Sequence, residues 1–193
     1  MIILEPKWKS WIIETTTPLF TPEQCQQIIE CGRRQTPQQA QVGTGKPGGG
    51  TDTKKRITTI SWIPFSEMKP MYDQVNSFIK KTNLNHFGFE DIGVTEQAQF
   101  TEYPEGGFYD WHMDCDINMQ HEPPVRKISM TVLLSPENQF EGGHLELMAP
   151  GKYAKLKQGH AICFASFLNH RVQPVTKGVR QSLVMWFGGH PFR

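Results

Sequence analysis

Residues 94–103, VTEQAQFTEY, decide the fold class, because apolar and polar side chains alternate along them. Val94, Ala98 and Phe100 form one mostly apolar side and the residues between them are polar, which is typical of a strand with one face in a core. Further β-rich runs follow at 108–114, 125–134, 144–148, 160–165, 170–175 and 179–187. Seven short runs with no helix between them predict a sandwich, barrel or jelly roll.

Two helices are predicted before this β-region. Thr21, Pro22 and Gln24 can start the first helix with a capping box and a proline in the first turn. Residues 66–81 carry apolar side chains at helical spacing. Helices followed by strands indicate an α+β fold, and 193 residues fit one domain. We therefore expect a single domain over residues 1–193.

Residues 36–55, TPQQAQVGTGKPGGGTDTKK, are expected to form a flexible glycine-rich loop, because they offer almost nothing to bury. Their G-x-G-x-x-G pattern at Gly43, Gly45 and Gly48 follows no apolar strand and precedes no helix, so it does not predict a dinucleotide site. A loop of this length is either functional or disordered. The functional alternative is a lid over the substrate.

Charge and cysteine content limit the classes of partner. Lys and Arg total 20 against 19 Asp and Glu, so no strong field draws the chain to nucleic acid or acidic lipid. The four cysteines form no CxxC pair, which fits reduced thiols. Neither a signal-peptide core nor a run of about 18 apolar residues is found. We expect a cytoplasmic protein with no nucleic-acid and no membrane partner.

His112 and Asp114 are the first candidate metal ligands, because side chains two residues apart in an extended segment project from the same face. A histidine from another strand would complete a two-histidine, one-carboxylate triad, which suits iron(II) and leaves positions open for a cosubstrate and O₂. His170 is the best candidate for that histidine. Asp116 and His160 are the alternatives for the carboxylate and for the second histidine.

Arg180 follows His170 across a glycine-containing turn, which predicts that the two residues lie on adjacent strands. A guanidinium binds a carboxylate bidentately and suits a dicarboxylate cosubstrate; a surface ion pair is the alternative. If the apolar side of 94–103 packs on the helices, Gln99, Thr101 and Tyr103 line a polar pocket.

Three segments together resemble the 2-oxoglutarate- and iron(II)-dependent dioxygenases of the prolyl 4-hydroxylase family, especially its small bacterial PKHD-type members: HMD at 112–114, GGHL at 142–145 and HRVQPVTKGVR at 170–180. The resemblance extends over about residues 11–188. It implies a double-stranded β-helix core of the jelly-roll type with supporting N-terminal helices. The cofactors it implies are iron(II), 2-oxoglutarate and O₂, with ascorbate as a candidate reductant.

The resemblance also implies roles for individual residues. His112, Asp114 and His170 would be the iron ligands, and Arg180 would hold the distal carboxylate of 2-oxoglutarate. Further matches are Tyr103 beside the cosubstrate, and Tyr109, Arg126 and Trp186 around a target proline. The family's second cosubstrate tyrosine is replaced by Leu133, and the candidates for its missing hydroxyl are Ser129 and Thr131.

The implied activity is hydroxylation of a substrate C–H bond coupled to decarboxylation of 2-oxoglutarate. A prolyl residue of a peptide or protein is the favoured substrate. The alternatives are a hydroxylase of a free amino acid or small metabolite, and a non-catalytic jelly-roll module that binds a metal or another ligand.

Overall fold

The structure, a computed structural model, describes residues 10–40, 52–115, 124–148, 151, 154 and 156–191. The helices within these ranges are α1 (Pro22–Arg34) and α2 (Lys69–Thr82), with a π-helical turn at Asn83–Phe87 and a 3₁₀ turn at Glu137–Gln139. No helix in the described ranges is long and apolar enough to cross a membrane.

The strands of the same ranges are β1 (Ile12–Glu14), β2 (Gln38–Gln39), β3 (Arg56–Ile57), β4 (Thr59–Ile63), β5 (Gly93–Val94), β6 (Ala98–Tyr103), β7 (Phe108–His112), β8 (Val125–Leu133), β9 (Phe140–Gly142), β10 (Leu145–Leu147), β11 (Ala161–Ala165), β12 (His170–Val172), β13 (Val175–Gly178) and β14 (Arg180–Gly189). Each of the seven predicted β-rich runs contains one of these strands. The prediction of an α+β fold is confirmed.

The first helix begins as its sequence predicts. The Gln24 N–H donates to the Thr21 hydroxyl at 3.2 Å, and the Thr21 N–H donates to the Gln24 side-chain oxygen at 2.9 Å. This reciprocal pair satisfies two backbone donors that a helix start otherwise leaves free. The second helix begins at Lys69, three residues later than predicted, and Pro70 lies in its first turn.

Two sheets form the β-core. The larger runs in the order β1-β11-β8-β14-β6-β4-β2, with β5 also paired to β14, and the smaller runs β10-β12-β7-β3. A separate pair, β13 with β9, links their ends. All of the recorded strand pairs are antiparallel.

The two faces of the larger sheet pack differently. Ala98 and Phe100 belong to a core shared with Ile28 of α1 and Val75 of α2. Tyr103, on the opposite face of the same strand, belongs to a second core with residues of β10 and β12. The apolar side of β6 therefore packs on the helices, and its polar side faces the smaller sheet, as the alternation predicts.

Two predictions about the chain path need correction. His170 lies on β12 of the smaller sheet and Arg180 on β14 of the larger sheet, so the prediction of adjacent strands is wrong. After β12 the chain passes through β13 of the separate pair, and Gly178, with φ at +74°, leads it from there into β14 of the larger sheet. The two side chains meet across the space between the sheets rather than along one sheet.

The glycine-rich loop is partly ordered at its ends. Gln38 and Gln39 pair with β4, although residues 36–55 were expected to form no regular structure. Residues 41–51, which include Gly43, Gly45 and Gly48, lie outside the described residues, and so does most of the predicted lid.

Candidate active site

A cavity of about 400 Å³, counting its opening to solvent, lies between the two sheets. The larger sheet contributes Gln99, Tyr103, Thr131, Arg180, Ser182, Val184 and Trp186, and the smaller sheet contributes Tyr109, His112, His170 and Val172, together with Asp114 just beyond β7. Eight of the sequence-predicted site residues line this cavity, together with Gln99 of β6, which was also predicted to line a pocket. The structure thus brings the two halves of the predicted site together from separate sheets.

His112, Asp114 and His170 form a compact cluster at this cavity. Their ligand atoms all lie within 4.8 Å of one another. His112 Nε2 is 3.7 Å from one Asp114 carboxylate oxygen, and His170 Nε2 is 3.5 Å from the other. The two histidines lie side by side because His170 of β12 is paired directly with His112 of β7.

Hydrogen bonds fix which ring nitrogen each histidine presents. His112 Nδ1 lies 2.8 Å from the Asp110 carbonyl oxygen, and His170 Nδ1 lies 3.0 Å from the Leu168 carbonyl oxygen. A carbonyl only accepts, so each Nδ1 carries a proton, and each Nε2 faces the Asp114 carboxylate. Histidines that bind a metal through one ring nitrogen usually donate the N–H of the other nitrogen to a carbonyl or carboxylate in this way.

The ionisation of the cluster suits a cation. Burial, reinforced by the nearby His170, lowers the pKa of His112 to about 3, so its imidazole is neutral at physiological pH. Burial raises the pKa of Asp114, but His170, His112 and Arg126 outweigh it and hold that pKa below its ordinary value. Two imidazoles and one carboxylate are a ligand set that fits a divalent transition-metal ion.

The Asp114 carboxylate is positioned by two serines. Ser129 donates its hydroxyl to Asp114 Oδ2 at 2.7 Å, and the Ser166 hydroxyl lies 2.9 Å from that of Ser129. The Asp114 N–H also donates to the Ser166 carbonyl oxygen at 3.0 Å. Ser129 was predicted from the sequence as a cosubstrate ligand, and that role stays a prediction; its observed partner is the carboxylate.

Replacing Ser129 by Ala is expected to weaken manganese(II) binding by about 10-fold or more, because hydrogen-bond partners of metal ligands typically contribute that much. Isothermal titration calorimetry measures the change. Ser129→Thr keeps a hydroxyl and should restore most of the affinity. Ser61→Ala is the matched control, since that buried hydroxyl donates to the Gly32 carbonyl away from the cavity. Equal affinity in Ser129→Ala and the parent would contradict the positioning role.

Arg180 is the buried cation of the cavity. It is 3% exposed, and its Nη1 donates to the Ser182 hydroxyl at 3.2 Å. Burial lowers its pKa from the ordinary value, yet a guanidinium keeps its proton in proteins. Its Cζ lies 5.5 Å from the centre of the Tyr103 ring. No carboxylate among the described residues forms an ion pair with it, which leaves the guanidinium available to an anion.

Hydroxyl groups lie near Leu133, the residue that replaces the expected second cosubstrate tyrosine. Leu133 is paired with Ser182 across β8 and β14, and Thr131 is paired with Val184. Thr131 and Ser182 both line the cavity. Two hydroxyls therefore stand near the position where a tyrosine was expected and Leu133 is found.

Two of the predicted substrate residues, Tyr109 and Trp186, line the same cavity, and the third, Arg126, stacks on Trp186. Arg126 donates twice to the Glu96 carboxylate, at 2.7 Å for each bond, and its Cζ stacks 3.8 Å from the centre of the Trp186 ring. The Tyr109 ring stacks on that of His112 with centroids 3.5 Å apart. Trp186 Nε1 is buried without an acceptor among the described residues.

Several contributors to the site were missed from the sequence, among them Ser182, the hydrogen-bond partner of Arg180, and also Glu96, Ser166 and Arg56. Glu96 and Ser166 act only through long-range partners, so no local spacing could have found them. Arg56 could have been noticed in the sequence, since it is a basic residue shortly before the apolar run of β4, and it lies in β3. Its side chain contacts a residue of the cavity lining: its Cζ lies 4.3 Å from the centre of the Tyr109 ring.

His160 and Asp116 were the alternative metal ligands predicted from the sequence. His160 Nδ1 lies 3.0 Å from the Thr15 carbonyl oxygen, at the β1 edge of the larger sheet, and His160 is absent from the cluster found among the described residues. Asp116 lies outside the described residues.

Comparisons with known proteins agree with this geometry. Residues 98–188 match the family model of the 2OG-Fe(II) oxygenase superfamily. A PKHD-type hydroxylase of Colwellia psychrerythraea is 30% identical over 153 residues, which cover 76% of this chain and 67% of the relative. A PKHD-type hydroxylase of Alteromonas mediterranea is 37% identical over 92 residues, and the match spans only 41% of its length.

The fold also has solved counterparts. The viral collagen prolyl hydroxylase of Paramecium Bursaria Chlorella virus-1, solved with 2-oxoglutarate, superimposes with a TM-score of 0.69 at 18% identity, over 92% of this chain and 96% of that one. At this identity the likeness shows the fold alone. It confirms the predicted jelly-roll core with supporting helices.

Proposed function

Because this chain belongs to the 2OG-Fe(II) oxygenase superfamily, we propose that it is an iron(II)- and 2-oxoglutarate-dependent dioxygenase with His112, Asp114 and His170 as iron ligands. The observation that carries the proposal is the placement of this cluster and the buried Arg180 in one cavity. Iron(II), when bound, supplies the redox chemistry that uses O₂.

The residues of the cavity orient the reactants. Arg180 binds the distal carboxylate of 2-oxoglutarate through its planar fork, and Tyr103, Thr131 and Ser182 line the space beside it. In the proposed reaction 2-oxoglutarate loses CO₂ and takes up one oxygen atom to become succinate. The second oxygen atom of O₂ enters a substrate C–H bond as a hydroxyl group. Ascorbate serves as the reductant that keeps the iron in its ferrous state.

The proposed substrate is a prolyl residue of a peptide or protein, hydroxylated at C4. Aromatic rings of Tyr109 and Trp186 line the cavity on the two sheets, which supports a compact apolar ring as the occupant between them. A structural neighbour is by name a collagen prolyl hydroxylase. We also propose a cytoplasmic location, which is supported by four buried cysteines that are thiols and not disulfides.

The experiment is incubation with iron(II), 2-oxoglutarate, ascorbate and O₂ together with peptides that carry proline at internal or C-terminal positions. We expect equal amounts of succinate and of product heavier by one oxygen atom, measured by mass spectrometry. His112→Ala should form neither. Succinate without any oxidised peptide would point to a free amino acid or small metabolite, and a protein that binds metal and 2-oxoglutarate but makes no succinate would contradict the oxygenase.

A further inference from the structure

Arg56 is a buried guanidinium without a counter-ion. It is 9% exposed, and its Nη2 donates to Gln99 Oε1 at 3.2 Å. Its Nε is buried and has no acceptor among the described residues. No ion pair with a carboxylate is found for it within the described ranges. Buried donors without partners are rare in folded proteins, and an unpaired buried charge is costly.

This unpartnered cation packs against the wall of the cavity. Its two side-chain neighbours, Gln99 and Tyr109, both line the cavity beside the His-Asp-His cluster. Trp186, on the same cavity wall, presents a second buried donor without an acceptor. One orphaned N–H group on the cavity lining and a second on a residue packed against that lining favour a ligand that brings an oxygen-rich group to this wall.

The other two arginines of the region already have partners. Arg126 is neutralised by the bidentate Glu96 carboxylate. Arg180 is assigned to the distal carboxylate of 2-oxoglutarate in the proposed function. Arg56 is therefore the arginine of this group whose charge has no match.

The sum of charges in the site with iron(II) and 2-oxoglutarate bound also leaves Arg56 without a counter-charge. Iron(II) and 2-oxoglutarate carry opposite charges of equal size, and Asp114 balances Arg180. The positive charge of Arg56 remains when all of these are present. A peptide carbonyl could accept the hydrogen bond from Arg56 Nε, but it would leave that charge uncompensated in a buried position. A carboxylate would satisfy both the donor and the charge.

We propose that Arg56 binds a carboxylate group of the substrate, so that the hydroxylated residue carries a free α-carboxylate. The inference rests on the proposed function and narrows its substrate class to a free amino acid or the C-terminal residue of a peptide. Internal residues of a peptide or protein lack this group and are poor substrates. Trp186 Nε1 is the second donor available to the bound carboxylate.

The test compares matched acid and amide probes. The probes are glycyl dipeptides that end in proline, leucine, lysine or glutamine, each prepared as the free acid and as the C-terminal amide, together with the four free amino acids. Binding is measured by calorimetry in the absence of O₂, with manganese(II) and 2-oxoglutarate present. For the residue type that the cavity accepts, the free acid should bind at least about 10-fold more tightly than the amide. The free amino acids distinguish a single amino acid from a peptide C-terminus.

Variants connect that preference to Arg56. Arg56→Gln removes the charge and should bring the acid-to-amide ratio close to one, while Arg56→Lys should keep part of it. Arg33→Gln is the matched control, because Arg33 is a half-exposed arginine whose partner is Glu102. 2-Oxoglutarate binding in each variant reports whether the cavity is folded.

Three outcomes would overturn the proposal: equal binding of acid and amide by the parent, an acid preference that persists in Arg56→Gln, and no binding of any free acid. Succinate formation by the same preparation is recorded separately. If succinate forms while the acid preference is absent, the oxygenase activity stands and the carboxylate site does not. If no succinate forms under any condition, the proposed function itself fails.

Discussion

In His170→Ala, manganese(II) is expected to lose its effect on the melting temperature. A ligand that binds only the folded state stabilises it, and at 100 times its dissociation constant the gain is about 2.7 kcal/mol, or about 5–10 °C for a chain of this size. His170 is almost completely buried and faces Asp114 across 3.5 Å, so its removal takes away one of three ligands that lie within 4.8 Å. His112→Ala should behave in the same way. Differential scanning fluorimetry with and without the metal measures the effect.

His160→Ala is the matched control for both histidine variants. Its ring lies at the edge of the larger sheet beside the Thr15 carbonyl, away from the cluster. The metal-induced rise should therefore be kept in full. If the rise disappears in His160→Ala and survives in His170→Ala, the second histidine ligand has been assigned to the wrong residue.

Local patterns predicted the strands of this protein well, because alternation reports burial directly. The polar side of β6 was expected to face a pocket if its apolar side packed on the helices, and Gln99 and Tyr103 do line the cavity. The capping box at Thr21 involves only neighbours along the chain, and it is present as predicted. In both cases the determinant lies within a few residues.

Contacts between sheets could not be predicted in the same way. The turn after His170 suggested adjacent strands for His170 and Arg180, but the chain passes through β13 of the separate pair and enters the larger sheet at β14. The same limit applies to Ser129, whose face was predicted while its partner was not, since Asp114 reaches it from the other side of the cavity. Spacing along the chain shows which side chains share a face; it does not show which face lies opposite.

Arg56 illustrates a third case. Its position before an apolar strand is visible in the sequence, but its importance depends on burial and on the absence of a counter-ion within the described ranges. Glu96 neutralises Arg126, and no local pattern distinguishes a paired arginine from an unpaired one. The assignment of a substrate carboxylate to Arg56 thus needed the hydrogen-bond partners of both arginines.

Arg180→Ala is expected to reduce the affinity for 2-oxoglutarate by at least about 30-fold, because removing one partner of a buried, hydrogen-bonded charge pair typically costs about 2–5 kcal/mol. The guanidinium is 3% exposed, and its one hydrogen-bond partner among the described residues is the Ser182 hydroxyl. In Arg180→Lys the charge remains but the bidentate fork is lost, so an intermediate affinity is expected. Calorimetry in the presence of manganese(II) measures all three proteins.

Metal affinity separates a lost cosubstrate site from a damaged fold. Arg180 lies on β14 of the larger sheet, whereas the two histidine ligands lie on β12 and β7 of the smaller sheet, so manganese(II) binding should be nearly the same in Arg180→Ala and the parent. Arg33→Ala, which removes an arginine on the helical side of the larger sheet, should change neither affinity. If 2-oxoglutarate binds equally well to Arg180→Ala and to the parent, Arg180 does not anchor the cosubstrate, and Arg56 becomes the arginine to test in its place.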